Sequence, residues 1–462
     1  MINETINTSL WNKKDLEKAL HSNITADITN VTAVSIDTRS LKSGDIFFAI
    51  KGDNFDGHDF VSEAIKLGAT LCVVEKEISV CPEYENKLLK VKSVSESLNK
   101  LGEYRRKALD AKVICITGSL GKTTTKNMLH SVLKEYGKTH STSKNFNNHY
   151  GVPLTLANTP LDTDYCVLEL GMNHSGEIDI ISKIAKPDIA IITNVHNVHM
   201  EFFHSIEGIA KAKAEIIPNI TKNGKLIAHK NIVNEAIFQK LAKENDVEVF
   251  WFGDQKNEDC FIENYNNNDY KIDCCKKIVN QKFHPDLGKH LAFNALSIFL
   301  CLSLLKIKDL KKAQEILTKI KPSSGRGEII DLPNNISVID ESYNSSPKAL
   351  ESAIKNLIAR KKEGGRSVAI LGDMKELGKD EINIHKSIQI SQIDKLFSVG
   401  HLMQSLYEEV DKKVQGIKTN TSEELAKSIL TYIKKNDTIL VKGSYSMRMW
   451  KIIEILKTGG LQ

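Results

Sequence analysis

The chain has 462 residues, room for about three domains at roughly 150 residues each, so it can bury sizeable cores without disulfide staples. At 41% hydrophobic, 26% charged and 6% aromatic, with 26 glycines and 9 prolines, the composition excludes collagen, coiled coil and disorder. Sixty-three basic against 58 acidic residues leave a net charge of +5, and the basic residues are scattered, so neither nucleic acid nor an anionic membrane is demanded as a partner.

Eight cysteines stand at 72, 81, 115, 166, 260, 274, 275 and 301 without C-x-x-C spacing, and Cys115 and Cys166 lie in apolar runs, so buried reduced thiols are expected rather than bridges or zinc. The longest apolar stretch, Ala295 to Leu305, is too short to span a bilayer, and the residues around Asn3 and Glu4 carry no basic-then-apolar signal. A soluble, cytoplasmic, monomeric protein is expected.

In chain order, short apolar runs between Ala33 and Glu75 alternate with Gly-Asp punctuation at Ser43-Gly44-Asp45, Lys51-Gly52-Asp53 and Asp56-Gly57-His58. Phe60 to Leu67 then has helical spacing and Thr70 to Val74 is an apolar run, which together predict a small α/β domain. Val113 to Thr117 predicts a buried strand, followed by a Gly-rich turn and a helix carrying Met128, Leu129, Val132 and Leu133 on one face, ended by Gly137. Strands at Tyr165 to Leu170 and Ile189 to Thr193 and an apolar helix over Asn294 to Leu305 continue this second domain. Asn264 to Asn268 reads as a surface hairpin, and Lys321-Pro322-Ser323-Ser324-Gly325 as a linker. Beyond it, strands at Ser337 to Ile339, Val368 to Leu371 and Thr438 to Val441 alternate with helical segments, the pattern of a parallel sheet with crossover helices.

Gly118-Ser119-Leu120-Gly121-Lys122-Thr123-Thr124 sits between the buried strand and its helix, where a phosphate loop belongs. Glycines let backbone N–H groups converge on phosphate oxygens, Lys122 neutralises the outer phosphates, and the Thr123 hydroxyl can ligate Mg²⁺. The loop departs from G-x-x-x-x-G-K-[ST] in having Ile116 at the first glycine position. Binding of a nucleotide triphosphate is therefore expected. Glu169, closing Cys166-Val167-Leu168-Glu169, is placed to take the nucleotide's magnesium, but taken alone it reads equally as a surface strand end. Among His196, His199 and His204, spacing does not choose a second ligand. Lys213, in Ala212-Lys213-Ala214-Glu215, reads on composition as a solvated helix lysine.

Taken together these residues resemble the Mur ligases, ATP-dependent amide-bond-forming enzymes of peptidoglycan synthesis, over nearly the whole chain. The resemblance is carried by Thr117 to Thr125; Asn145 to Asn148 with Gly151-Val152-Pro153-Leu154-Thr155; Glu169 to Asn173; Thr193-Asn194-Val195 followed by His199; and Ala212 to Ile216. It continues through His290 with Asn294, Gly325-Arg326, Asp340 with Tyr343-Asn344, Leu371 to Gly378, and Val441 to Ser444 with Ser446 to Met449. It implies three α/β domains: a UDP-sugar-binding domain over 1–108, a central P-loop ATPase-type parallel-sheet domain over 109–322, and a Rossmann-like ligase domain over 323–462.

The resemblance further implies that Glu169 and His199 ligate magnesium, that Lys213 is carbamylated and becomes a metal-holding carboxylate, and that Lys122, Lys213 and His199 form the catalytic set. Asn294 is implied near adenine, with Arg326, Asp340 and Tyr343 serving the nucleotide. Asp37, Thr38, Arg39, Lys51, Gly52 and His58 are implied to bind the acceptor. The implied reaction joins D-alanyl-D-alanine to a UDP-N-acetylmuramoyl-tripeptide through an acyl phosphate, using ATP and Mg²⁺. Leu291, Glu341, Ser345, Ser346 and Tyr445 depart from the family pattern, which keeps open a ligase acting on another acid and amine. From another class, a nucleotide-switch module is the remaining alternative.

Overall fold

The computed structural model describes residues 9–52, 55–197, 200–203, 205–266, 268–284 and 289–459. Among them the strands form three sheets. In the first, β1 (Val34–Ser35), β2 (Ile46–Phe48), β3 (Leu71–Val74) and β4 (Leu88–Lys90) run parallel in that order. The period-two alternation of a strand sends Ile46, Phe48, Leu71 and Val73 into one core with Leu98 and Leu101, and Phe47, Cys72 and Val74 into another with Val61 and Ile65. Covering helices on both faces explain why these strands read as continuous apolar runs.

The second sheet contains β5 (Lys112–Thr117), β6 (Thr139–Ser141), β7 (Tyr165–Glu169), β8 (Ile189–Ile192), β9 (Lys225–His229), β10 (Glu248–Gly253), β11 (Cys260–Asn266), β12 (Asp269–Cys274) and β13 (Lys277–Lys282). Their order is β13-β12-β11-β10-β9-β8-β5-β7-β6, parallel from β6 to β11 and antiparallel from β11 to β13. The expected strands after Val113, Tyr165 and Ile189 are present, and the hairpin foreseen around Asn264 proves to be part of a three-stranded antiparallel extension. Strand β5 lies between β7 and β8, so the chain leaves it in both directions. That reversal opens a crevice beyond the C-terminal ends of β5, β7 and β8, where open α/β sheets bind ligands.

In the third sheet β14 (Glu328–Leu332), β15 (Ile336–Glu341), β16 (Ser367–Gly372), β17 (Lys395–Val399), β18 (Gln415–Thr419) and β19 (Thr438–Lys442) follow the order β14-β15-β19-β16-β17-β18. Only β14 is antiparallel to its neighbour. Its residues again alternate between two cores, Ile339, Ala369, Leu371 and Leu440 on one side and Val338, Val368, Ile370 and Val441 on the other. The first two sheets belong to one compact unit (residues up to 196, 207–282 and 293–317), and the third to a second unit with 197–206 and 283–292.

Candidate active site

The loop after β5 is shaped by two glycines with positive φ, Gly118 at 144° and Gly121 at 82°. A Cβ on Gly118 would stand 2.0 Å from Thr193 Oγ1, so only glycine lets the loop pass the end of β8. The segment after β8 braces the loop. Ser119 N–H donates to Asn194 O (3.0 Å), Leu120 N–H to Asn194 Oδ1 (2.8 Å), and the Thr193 hydroxyl and Asn194 amide both donate to Leu120 O. The Ser119 hydroxyl exchanges hydrogen bonds with the His196 backbone. The helix Lys122–Leu133 that follows has no side-chain N-cap, which leaves its positive end and first turn, with Thr123 and Thr124, directed at the crevice. Lys122 curls back over the loop, donating to Gly118 O at 2.8 Å and Ser119 O at 3.3 Å.

Glu169 ends β7 beside this helix and is 2% exposed. Its Oε1 accepts from the Thr123 hydroxyl and the Asn147 amide, each at 2.9 Å, while its backbone N–H donates to Thr142 Oγ1. Its Oε2 is buried without a partner among the described residues. A buried carboxylate oxygen left unsatisfied calls for a missing partner, and a hard cation is one such partner. Lys126, one turn beyond Lys122, is also buried and donates to Thr142 O at 2.6 Å, tying the helix to the strand end.

Lys213, on the helix Ile206–Ala214, is 2% exposed, the opposite of the solvated lysine that composition suggests. Burial first, and then the nearby Lys122 charge, hold its ammonium well below the usual lysine range. Its neighbour Glu215 caps the helix Glu177–Ala185, accepting from Gly176 N–H and the Ser175 hydroxyl. Asn294, 8% exposed, faces the loop: a Cβ on Gly121 would be 3.1 Å from its Oδ1. His199 lies outside the described residues, as does His204. Among the described residues no three His, Cys, Asp or Glu side chains are grouped to hold a metal. The Thr123 hydroxyl stands against the Glu169 carboxylate as an oxygen donor.

The expected acceptor residues lie after β1 and β2. Asp37 caps the short turn Thr38–Ser40, and Arg39 bonds both of its oxygens, which holds the Asp37 carboxyl below the usual range. Thr38 is buried and donates to Glu63. Beside Asp37 a cleft of about 180 Å³ is lined by Ser35, His140, Ser143, Thr155 and Asn158. Lys51 and Gly52 are exposed, the Lys51 backbone pairing with that of Asp56 in an isolated antiparallel β-bridge. His58 does not fit the acceptor role: it is 4% exposed, its Nδ1 meets Asp56 Oδ1 at 2.6 Å, and its Nε2 accepts from Glu75 N–H. Both ring nitrogens are consumed in pinning the Asp56 turn to the end of β3.

In the second unit, the Arg326 guanidinium carbon lies 3.9 Å from the Tyr343 ring centroid, and Tyr343 adjoins Tyr445. Asp340 lies near the end of β15. It is 1% exposed, and its two oxygens accept from Ser324 Oγ, Gly325 N–H, Ser342 N–H and Ser342 Oγ, so it braces the turn that presents Arg326. Sequence reasoning gave no role to Asn147, Thr142, Thr193 or Asn194. The signal available was amide and hydroxyl residues directly after, or facing, strand ends.

Models of the Mur ligase family match three stretches of the chain: the catalytic domain over residues 30–106, the middle domain over 116–302, and the glutamate ligase domain over 325–445. The UDP-N-acetylmuramoyl-tripeptide–D-alanyl-D-alanine ligase of Rickettsia prowazekii is 33% identical, across 96% of this chain and 99% of its own. The chain belongs to the Mur ligase family. The enzyme of the same name from Bacillus subtilis is 33% identical over 98% of both chains. Among solved Mur ligases, MurF from Acinetobacter baumannii superposes with a TM-score of 0.83 at 28% identity, covering 96% of this chain and 98% of its own. MurF from Thermotoga maritima in complex with ADP gives 0.76 at 26%, covering 92% and 97%.

Against this Mur ligase background the departures acquire structural roles. Glu341 faces Lys442 across β15 and β19 and pairs with its ammonium at 2.7 Å, with Lys442 only 4% exposed. Tyr445 extends the aromatic row from Tyr343 to Trp450. Leu291 is buried, and Ser346 starts the helix Pro347–Ala359 without capping it.

Proposed function

We propose that this Mur ligase joins D-alanyl-D-alanine to UDP-N-acetylmuramoyl-tripeptide, converting ATP to ADP and phosphate. The printed names of its full-length relatives support the choice of substrates. The observation that carries the chemistry is the pairing of Thr123, at the mouth of the phosphate loop, with a buried Glu169 whose second oxygen lacks a partner among the described residues.

In this reading the terminal carboxylate of the tripeptide attacks the γ-phosphorus, ADP departs, and an acyl phosphate forms. The dipeptide amine then attacks the acyl carbon, phosphate departs, and an amide remains. The protein positions these groups and stabilises the charge that develops on the transferring phosphoryl oxygens. Gly118 to Gly121 and the first turn of the helix cradle the phosphates, and Lys122 neutralises them. Asn294 stands beside the loop for the nucleotide, and Arg326 and Tyr343 are retained as nucleotide contacts.

Oxygen donors at Thr123 and Glu169 suit Mg²⁺, which would neutralise phosphate charge when bound. Lys213, buried and with its ammonium destabilised by that burial, is suited to add as the free amine to CO₂, losing a proton and gaining a carboxylate that would complete the ion's ligands with His199. Asp37, Thr38, Arg39, Lys51 and Gly52, with the cleft beside Asp37, serve the acceptor. The reading includes a monomer in the cytoplasm, without nucleic-acid partners, and the division at 108 and 322. The test is the mass of the product formed from ATP across pairs of acids and amines. A product heavier than the tripeptide acceptor by a dehydrated alanyl-alanine supports the assignment, and better turnover with another acid or a single amino acid overturns the substrate choice while leaving a ligase.

A further inference from the structure

The antiparallel extension at the far edge of the second sheet carries three cysteines that the ligase chemistry does not use. Cys260 opens β11, Cys274 closes β12, and the two are direct cross-strand partners. The backbone pattern fixes which kind of partners they are. The Cys275 N–H donates to Asp259 O at 2.7 Å, so the ladder bond falls on the residues flanking the pair, and Cys260 and Cys274 themselves form a non-hydrogen-bonded pair. Such pairs hold their Cα atoms at about 4.5 Å with side chains on the same face, within the span a disulfide bridges.

The third cysteine is the point of access. Cys274 pairs in register with Lys277, so Cys275 and Lys276 make a two-residue hairpin turn, with φ of 52° and 66°. Cys275 is exposed, whereas Cys260 and Cys274 are 0% and 3% exposed. The Cys274 thiol adjoins that of Cys260, and the Cys275 thiol adjoins that of Cys274 and the hydroxyl of Ser303; the thiol–thiol contacts first, with burial, push both thiols up, so reaction starts from the small thiolate fraction at exposed Cys275. Three thiols thus lead from solvent to a buried cross-strand pair.

We propose that Cys260, Cys274 and Cys275 form an oxidisable thiol cluster that a peroxide enters at Cys275 and that comes to rest as a Cys260–Cys274 disulfide. In the first step the Cys275 sulfur attacks hydrogen peroxide. The O–O bond breaks, a sulfenic acid forms and one water leaves. The Cys274 sulfur then attacks Cys275, expelling the sulfenic oxygen as a second water with the Cys274 proton. Exchange follows: Cys260 attacks the Cys274 sulfur, the Cys274–Cys275 bond breaks, and Cys275 regains a proton from Cys260. In sum two thiols lose two electrons and two protons, and one peroxide becomes two waters.

The experiment treats the reduced full-length protein with hydrogen peroxide, blocks remaining thiols with iodoacetamide, and maps the digest by mass. The expected result is a cross-linked peptide joining Cys260 to Cys274, lighter by two hydrogens and released by reductant, with Cys275 alkylated. In Cys275→Ser the same cross-link should form more slowly. Alkylated Cys260 and Cys274 throughout, with Cys275 driven to sulfinic acid or to a disulfide between two copies, would overturn the proposal. An unchanged rate in Cys275→Ser would overturn the entry role of Cys275.

Discussion

The Thr123 hydroxyl donates to Glu169 Oε1 at 2.9 Å, joining the first turn of the phosphate-loop helix to the end of the neighbouring strand. This contact sets a loop residue and a strand carboxylate, 46 positions apart in the chain, on the same side of the crevice. It also leaves Oε2 facing inward without a partner among the described residues.

Glu169→Gln keeps the shape and the Thr123 acceptor but removes the charge. Turnover should fall on the order of 10²-fold, with part of the loss recovered at raised Mg²⁺, because an ion ligand has been weakened rather than a fold broken. The thermal midpoint should hold or rise, since an unsatisfied buried carboxylate is gone. Unaltered turnover at limiting Mg²⁺ would remove Glu169 from the site.

Lys213→Ala should lose activity, and added short carboxylic acids should restore part of it by occupying the place of the carbamate. Burial first, then the Lys122 charge, lowers the amine's proton affinity well below that of an ordinary lysine, which favours capture of CO₂. A fully active alanine variant, or a lysine found unmodified by intact mass and crystallography with bicarbonate present, contradicts this role.

Lys122→Ala should cost on the order of 10²-fold or more in turnover while the protein stays folded, because its ammonium meets charge that grows in the transition state. Gly118→Ala acts differently. Its Cβ would overlap Thr193 Oγ1, so stability should drop by about 1–3 kcal/mol, and a second change, Thr193→Ala, should recover part of that drop. Equal denaturation midpoints for Gly118→Ala and the parent would show that the loop passes β8 elsewhere.

His140, in the cleft beside Asp37, gives a pH dependence. Burial first, then His130, bring it from 6.5 down to about 4. Above pH 6.5 the ring is neutral in both folded and unfolded chains, and its contribution is whole. As pH falls from 6.5 toward 4 only the unfolded chain takes the proton, so stability declines, by at most about 3 kcal/mol, and levels off below. His140→Phe should flatten that decline in denaturant titrations between pH 7 and pH 4; the same slope in the variant assigns it to other groups.

Much of the fold was legible because its strands are parallel and covered on both faces. Ile114, Cys115 and Ile116 form an unbroken apolar run that is fully buried, and the turn after it announces a phosphate loop. The antiparallel strands β11 to β13 were not, since Lys271, Lys277 and Asn280 interrupt any run and only Asn264 to Asn268 stood out. Site residues divided by whether a side chain's environment follows from its own sequence. Lys213 sits among alanines that give no hint of its burial, and the resemblance rather than the composition raised it. His58, next to Gly57, looked like part of a ligand-binding turn, yet its partners Asp56 and Glu75 consume both nitrogens.

ATP-driven ligation at the Thr123–Glu169 end of the sheet is read out by phosphate release measured over four mixtures. With MgATP present, steady release is expected only when UDP-N-acetylmuramoyl-tripeptide and D-alanyl-D-alanine are both added, with little from either alone and a collapse of the combined rate in Glu169→Gln. Release that proceeds equally with neither substrate, or that survives in Glu169→Gln, would contradict it.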